Sequence, residues 1–249
     1  NMITNITGSG AITGLTHGTS NQGVQTYSNN TVTSLISNGT GGNVTGITGG
    51  ATTVTTMNIN NNTINTLSST GASSTVTGLA VTAGAIVNAG GNVIHTLSGS
   101  GATSPLVRGL SVSSGTTVNV TKNKIYNLSE TGAISTTTSA VNGFLFSGGT
   151  TVTASNNLIG DLRAPAASLT DAIRGISITS TTASTTFNIF HNTVNINATS
   201  TGTNFGTTAL FHTFSTTATS AALNLRNNIL VNNSAPNGTG LTVAFRRSA

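Results

Sequence analysis

The 249-residue chain has no cysteine and no tryptophan, three prolines, and only eight basic and three acidic residues. Without cysteine there are no disulfides and no thiolate metal sites. Few prolines leave the backbone free to donate in long hydrogen-bonded ladders. A formal charge of +5 spread over this length is too dilute for a nucleic-acid footprint, and Arg246-Arg247 is the only adjacent basic pair. No run approaches the roughly 20 apolar residues that span a bilayer, so membrane insertion is not expected. What fills the space is 51 Thr, 31 Asn and 30 Gly, with a regularly placed apolar fraction of 35%. Disordered chains lack that apolar content. Thr and Val favour strands, whereas Asn and Gly favour tight turns.

An Asn standing two residues before an aliphatic residue recurs at Asn1, Asn30, Asn62, Asn92, Asn123, Asn157, Asn192 and Asn228, at intervals of 29 to 36 residues. A period of this size marks a solenoid. Just before each Asn, apolar and polar residues alternate, as in Val87-Asn88-Ala89 and Val118-Asn119-Val120. Strict alternation is the pattern of a strand with one buried face. After the Asn come Ile64, Ile94, Ile125 or Ile159, followed three residues on by Leu67, Leu97, Leu128 or Leu162. A third segment opens on glycine, at Gly78-Leu79, Gly109-Leu110, Gly143-Phe144 and Gly175-Ile176.

Three short strands per repeat bury their apolar faces only if the chain coils and each coil lies on the one before. The predicted fold is all-β: a right-handed parallel β-helix of about seven to eight coils, roughly 35 Å long, forming a single repeat domain over residues 1–249. The four isoleucines should stack as one interior column. Asn30, Asn62, Asn92, Asn123, Asn157, Asn192 and Asn228 should form a structural ladder at one corner, each adopting a left-handed backbone and bonding its equivalent one coil away.

The stretch Gly109 to Leu128, with its glycine-led strand, alternating strand and Asn-x-Ile corner, resembles the coil consensus of secreted right-handed parallel β-helix repeat proteins. These make up the pectate-lyase-like superfamily, and the resemblance to its non-enzymatic bacterial cell-surface and adhesin members covers the whole chain. It implies an extracellular rod whose partners are neighbouring coils or copies of the same protein, and surface glycans. Enzymatic members cleave polysaccharides, which requires paired carboxylates or a carboxylate-bound calcium ion. The entire acidic supply is Glu130, Asp161 and Asp171, in different coils by register, with Arg163 and Arg174 as surface ion-pair partners for the two aspartates. No catalysis is therefore expected. His17, His95, His191 and His212 are too dispersed for a local metal motif, so no cofactor is expected either.

Arg108 and Arg174 share the column just before the glycine and are candidates for a weak anion- or sugar-binding patch on an otherwise solvated face. All eight phenylalanines lie beyond residue 143, where the repeat lengthens, which predicts a wider core packed with rings and a possible platform at Phe205, Phe211 or Phe214. The sequence therefore favours a structural or adhesive rod segment of a large secreted surface protein. The alternatives are a lattice- or carbohydrate-binding solenoid of the ice-binding type and a degenerate lyase or hydrolase. Lattice matching needs a repetitive Thr face, and the flanking column runs Val24, Thr56, Ile86, Thr117, Thr151, Thr186, Ala222. Both ends fall mid-coil, which predicts that the native chain continues or that copies stack end to end.

Overall fold

The computed structural model describes residues 1–16, 23–101, 103, 105–136, 139–214 and 222–248. It is a parallel β-solenoid with no helix among them, three strands per coil and about seven coils. One coil runs through Ile86–Gly90, Val93–Gly99 and Leu106–Val112, and the next through Thr117–Thr121, Lys124–Glu130 and Val141–Phe146. Corresponding strands pair in parallel to build a seven-stranded alternating sheet, a ten-stranded ladder sheet and an eight-stranded glycine sheet.

The register follows the repeat residue for residue. Ile64, Ile94, Ile125 and Ile159 are successive partners in the ladder sheet, and Leu67, Leu97, Leu128 and Leu162 form a second column beside them. Each of these eight side chains is at most 1% exposed. Their spacing of three, rather than the two of a regular strand, has a backbone cause. Ser34, Thr66, Thr96, Asn127 and Asp161 lie between the two columns with φ of 48° to 57°, and this left-handed residue flips the alternation so that both aliphatics point inward. Where the kink is missing, the phase is kept: in Thr193–Ile196 it is Ile196 that buries, and Asn197 turns out.

The ladder asparagines from Asn30 to Asn192 are buried at the predicted corner and Asn228 is half-buried, but none carries the left-handed angle. That angle sits one residue earlier, at Asn29, Asn61, Gly91, Lys122, Asn156, His191 and Asn227, with φ of 53° to 66°. The tight turn points its own side chain toward solvent, which is why Lys and His are tolerated there. Its effect is to aim the next side chain into the corner.

Opposite the isoleucine column runs a glycine column. A Cβ on Gly109 would lie 2.6 Å from both Ile125 Cγ2 and the Gly143 carbonyl oxygen, so the glycine sheet approaches the core too closely for any side chain at this point. The phenylalanines of the later coils pack ring against ring in the core, as expected. Phe144, Phe146 and Phe187 are fully buried, with ring centroids 5.5 and 6.4 Å apart along that series. The first alternating strand, Val24–Ser28, departs from the apolar pattern by burying Gln25, whose Oε1 accepts a hydrogen bond from the Tyr27 hydroxyl at 3.2 Å.

Candidate functional site

Two features on this frame carry the chemistry the sequence allows: the corner ladder, and a groove on the outer face of the glycine sheet. In the ladder every amide points the same way. The side-chain Nδ2 of Asn1, Asn30, Asn62, Asn92, Asn123, Asn157 and Asn192 donates to Oδ1 of the next asparagine at 2.8–3.0 Å, ending on Asn228. From Asn30 onward the backbone N–H of each donor residue also reaches that same oxygen, at 2.9–3.1 Å. From Asn62 onward the second Nδ2 hydrogen bonds a carbonyl of the alternating sheet, for example Asn123 to Ala89 at 2.9 Å. From Asn62 to Asn192 the carboxamide donors and the oxygen are thus all used, and this satisfaction offsets the burial of six polar side chains, Asn30 included.

The glycine-sheet groove grows from strand register. Arg108, Asn142, Arg174 and Thr208 are successive partners in one outward column, and Ser111, Leu145, Ser177 and Phe211 in the next. Between them lies a groove of about 490 Å³ whose walls include Leu106, Arg108, Asn142, Ser177 and Phe211. The column shared by Arg108 and Arg174 is as predicted, but the solvated face is not. Arg174 and Asp171 are only 8% and 7% exposed in their side chains and are joined through Nε to Oδ2 at 2.8 Å. The Phe211 ring covers the guanidinium, 3.5 Å from its carbon to the ring centroid, and Nη1 donates to Ser177 Oγ at 3.3 Å. Asp171 also accepts from Thr208 Oγ1 at 2.6 Å and lies 3.8 Å from Arg246 Nη1. Burial lowers the Arg174 pKa, opposed by the charge and hydrogen bond of Asp171. The expected weak surface pair is therefore a buried one, because a bulky ring one coil later closes over it. The other pair, Asp161 with Arg163 at 3.3 Å, is half-exposed as anticipated.

Arg108 differs from Arg174 in having no compensation. Its Nε is shielded from solvent without a hydrogen-bond partner, and burial lowers its pKa. Among the described residues no carboxylate lies within ion-pair distance of it.

The third acid, Glu130, is fully buried at the end of its ladder-sheet strand, which sequence reasoning did not foresee. Oε1 accepts from the Gly132 N–H at 2.8 Å, while Oε2 has no partner. Burial pushes its carboxyl up to about 7, opposed by the backbone N–H groups of Gly132 and Thr131. The space it fills is vacated by its register partner Gly99, where a Cβ would collide with Oε2. The three acids thus have three separate sets of partners.

The histidines are equally separate. His95 stacks on Tyr126 at 4.9 Å and 5° on the outer ladder sheet, and His191 occupies an exposed turn. His212 is buried, its Nε2 unpartnered and its pKa lowered by burial and by Arg247. His17 lies outside the described residues, among which no three His, Asp or Glu side chains gather around a metal-sized space. The three candidate platform phenylalanines do not share a face. Phe205 is fully buried, Phe211 is spent on Arg174, and Phe214 is exposed beside Arg247.

Comparison with known proteins returns no matching family model, no matching curated protein and no matching solved structure.

Proposed function

We propose that the chain is a structural and adhesive rod segment of a secreted bacterial surface protein. The observation that carries this reading is the unbroken corner ladder from Asn1 to Asn228, which ties every coil to the next through amide hydrogen bonds that are buried from Asn30 to Asn192. Such a ladder spends its polar chemistry on holding shape and leaves none of it to bind a substrate. The acids support the same reading: each is paired or buried away from the others, whereas glycoside cleavage needs two carboxyls flanking one bond.

The outer face of the alternating sheet fits adhesion better than lattice matching. Its central column reads Thr26, Asn58, Asn88, Asn119, Thr153, Asn188, Asn224, and its amides bond one another, as in Asn88 to Asn58 and Asn119 to Asn88, both at 2.9 Å. The flanking column mixes Val24 and Ile86 with Thr56, Thr117 and Thr151, so it offers no continuous threonine row. Surface glycans are the partners proposed for this face. A second copy is the partner proposed along the axis, through the same parallel strand pairing that joins coil to coil.

Mild protease treatment of intact source cells tests the reading, combined with assays of the purified chain against polygalacturonate and neutral glycans with and without calcium. Release of peptides from this chain without cell lysis, and no glycan turnover, is the expected result. Detection only after lysis contradicts the reading, as does turnover that disappears in Glu130→Gln or Asp171→Asn.

A further inference from the structure

We propose that the groove on the outer face of the glycine sheet is an oxyanion site, in which Arg108 receives a carboxylate or sulfate group of a small polar ligand. This goes beyond the rod reading and stands or falls separately from it.

The groove places two guanidinium groups, Arg108 and Arg174, along one wall with no carboxylate among the residues that line it. Asp171 does not fill that role. Its oxygens are taken by Arg174 and Thr208, and it borders the adjoining groove, which contains Arg246. Arg174 is thus a neutralised and braced element of the wall. Arg108 is the uncompensated one: it lines the groove, its Nε lacks an acceptor, and no acid pairs with it among the described residues. A partly buried cation without a counterion is costly, and the planar guanidinium fork is suited to donating two parallel hydrogen bonds to one oxyanion.

The rest of the wall suits a hydroxylated ligand body. Asn142 presents a carboxamide beside the guanidinium groups, braced by hydrogen bonds with Ser139 at 3.1–3.3 Å, and Leu106 and Leu145 provide apolar flanks. In other coils the Arg108 column carries Thr45 and Thr77, and the coil needs no cation there for its own packing.

Nitrogen–proton spectra of the full chain, observing the Arg108 Nε–H in the native chain and the backbone amides of Asn142 and Ser177 in every variant, test this by titration with sodium acetate, sodium sulfate and a uronic-acid disaccharide against sodium chloride at matched ionic strength. A saturable shift with acetate or sulfate beyond that of chloride is expected. Arg108→Thr, which installs the residue of the two preceding coils, should weaken binding at least about tenfold, the value of one charge-assisted hydrogen bond. Arg108→Lys keeps the charge but not the fork and should weaken it less, while Lys124→Thr on the ladder sheet should have no effect. Tighter binding of the disaccharide than of acetate identifies a saccharide-borne anion, and equal binding a free one; both outcomes support the site. Shifts that never saturate above chloride overturn it, as does unchanged affinity in an Arg108→Thr chain with native circular dichroism.

Discussion

Replacing Asn123 by alanine removes one rung from the middle of the corner ladder, and the structure fixes what is lost. Oδ1 of Asn123 accepts from both the backbone N–H and the Nδ2 of Asn92 at 3.0 Å. Its own Nδ2 donates to the Ala89 carbonyl at 2.9 Å and to Asn157 Oδ1 at 3.0 Å. Some partners have a second bond: Asn92 Nδ2 keeps the Ile59 carbonyl at 2.8 Å, and Asn157 Oδ1 keeps the Asn123 backbone N–H at 2.9 Å. The Asn92 N–H is left with no acceptor in a residue that is fully buried. One orphaned buried donor costs about 1–3 kcal/mol, and the weakened neighbours add about 1 kcal/mol more, so the expected loss is about 3 kcal/mol. That is a large part of the ~5–15 kcal/mol available to a typical domain. Asn119→Ala on the outer face is the control, because its side chain makes a single partly exposed bond to Asn88 at 2.9 Å and should cost about 1 kcal/mol or less. Urea unfolding and amide hydrogen exchange at Asn92 measure both variants, exchange being needed because repeat arrays can unfold in parts. Equal destabilisation by the two substitutions, or an Asn92 amide that stays protected in Asn123→Ala, would refute the reasoning.

Other positions give equally definite expectations. Gly109→Ala drives a methyl group to 2.6 Å from Ile125 Cγ2 and the Gly143 oxygen and should lower the urea midpoint by an equivalent of about 1–3 kcal/mol. Glu130 makes stability depend on pH. Its folded pKa of about 7 exceeds the ordinary 4.5, so its contribution is fully present below about 4.5 and is lost as pH rises through 7, amounting to about 3 kcal/mol. Thermal melts across that window should show this decline, and Glu130→Gln should flatten it; a wild-type profile that rises instead would contradict the burial argument. Asp171→Asn leaves the Arg174 cation buried without its counterion and should cost about 3–5 kcal/mol by denaturation, whereas Asp161→Asn breaks a half-exposed pair and should cost at most about 1 kcal/mol.

What repeats once per coil was legible in the sequence. A position such as Ile94 meets the same environment as Ile64 and Ile125, so the period alone supplied the columns, the ladder and the glycine-led strand. What no single residue type marks from coil to coil was not. The left-handed turn was assigned to the ladder asparagines because Asn tolerates that backbone, yet the turn belongs to the preceding residue, which is Asn in some coils but Gly91, Lys122 or His191 in others and so is a less regular column than the ladder. Burial of Arg174 depends on Phe211 lying one coil further on and diagonal to it, a contact between neighbouring columns that strand alternation does not report. Glu130 was the nearest miss. Its register partner is Gly99 where the two preceding coils carry Ser69 and Ser37, and that missing side chain is the space the carboxylate occupies.

The account depends most on the corner amides bonding from coil to coil. Scalar couplings across hydrogen bonds, measured by NMR on the deuterated chain, observe this directly. The backbone amide nitrogens of Asn30, Asn62, Asn92, Asn123, Asn157 and Asn192 should each couple to the side-chain carboxamide carbon of the next ladder asparagine. Coupling of those nitrogens to other carbonyls, or their free exchange with solvent, would contradict it.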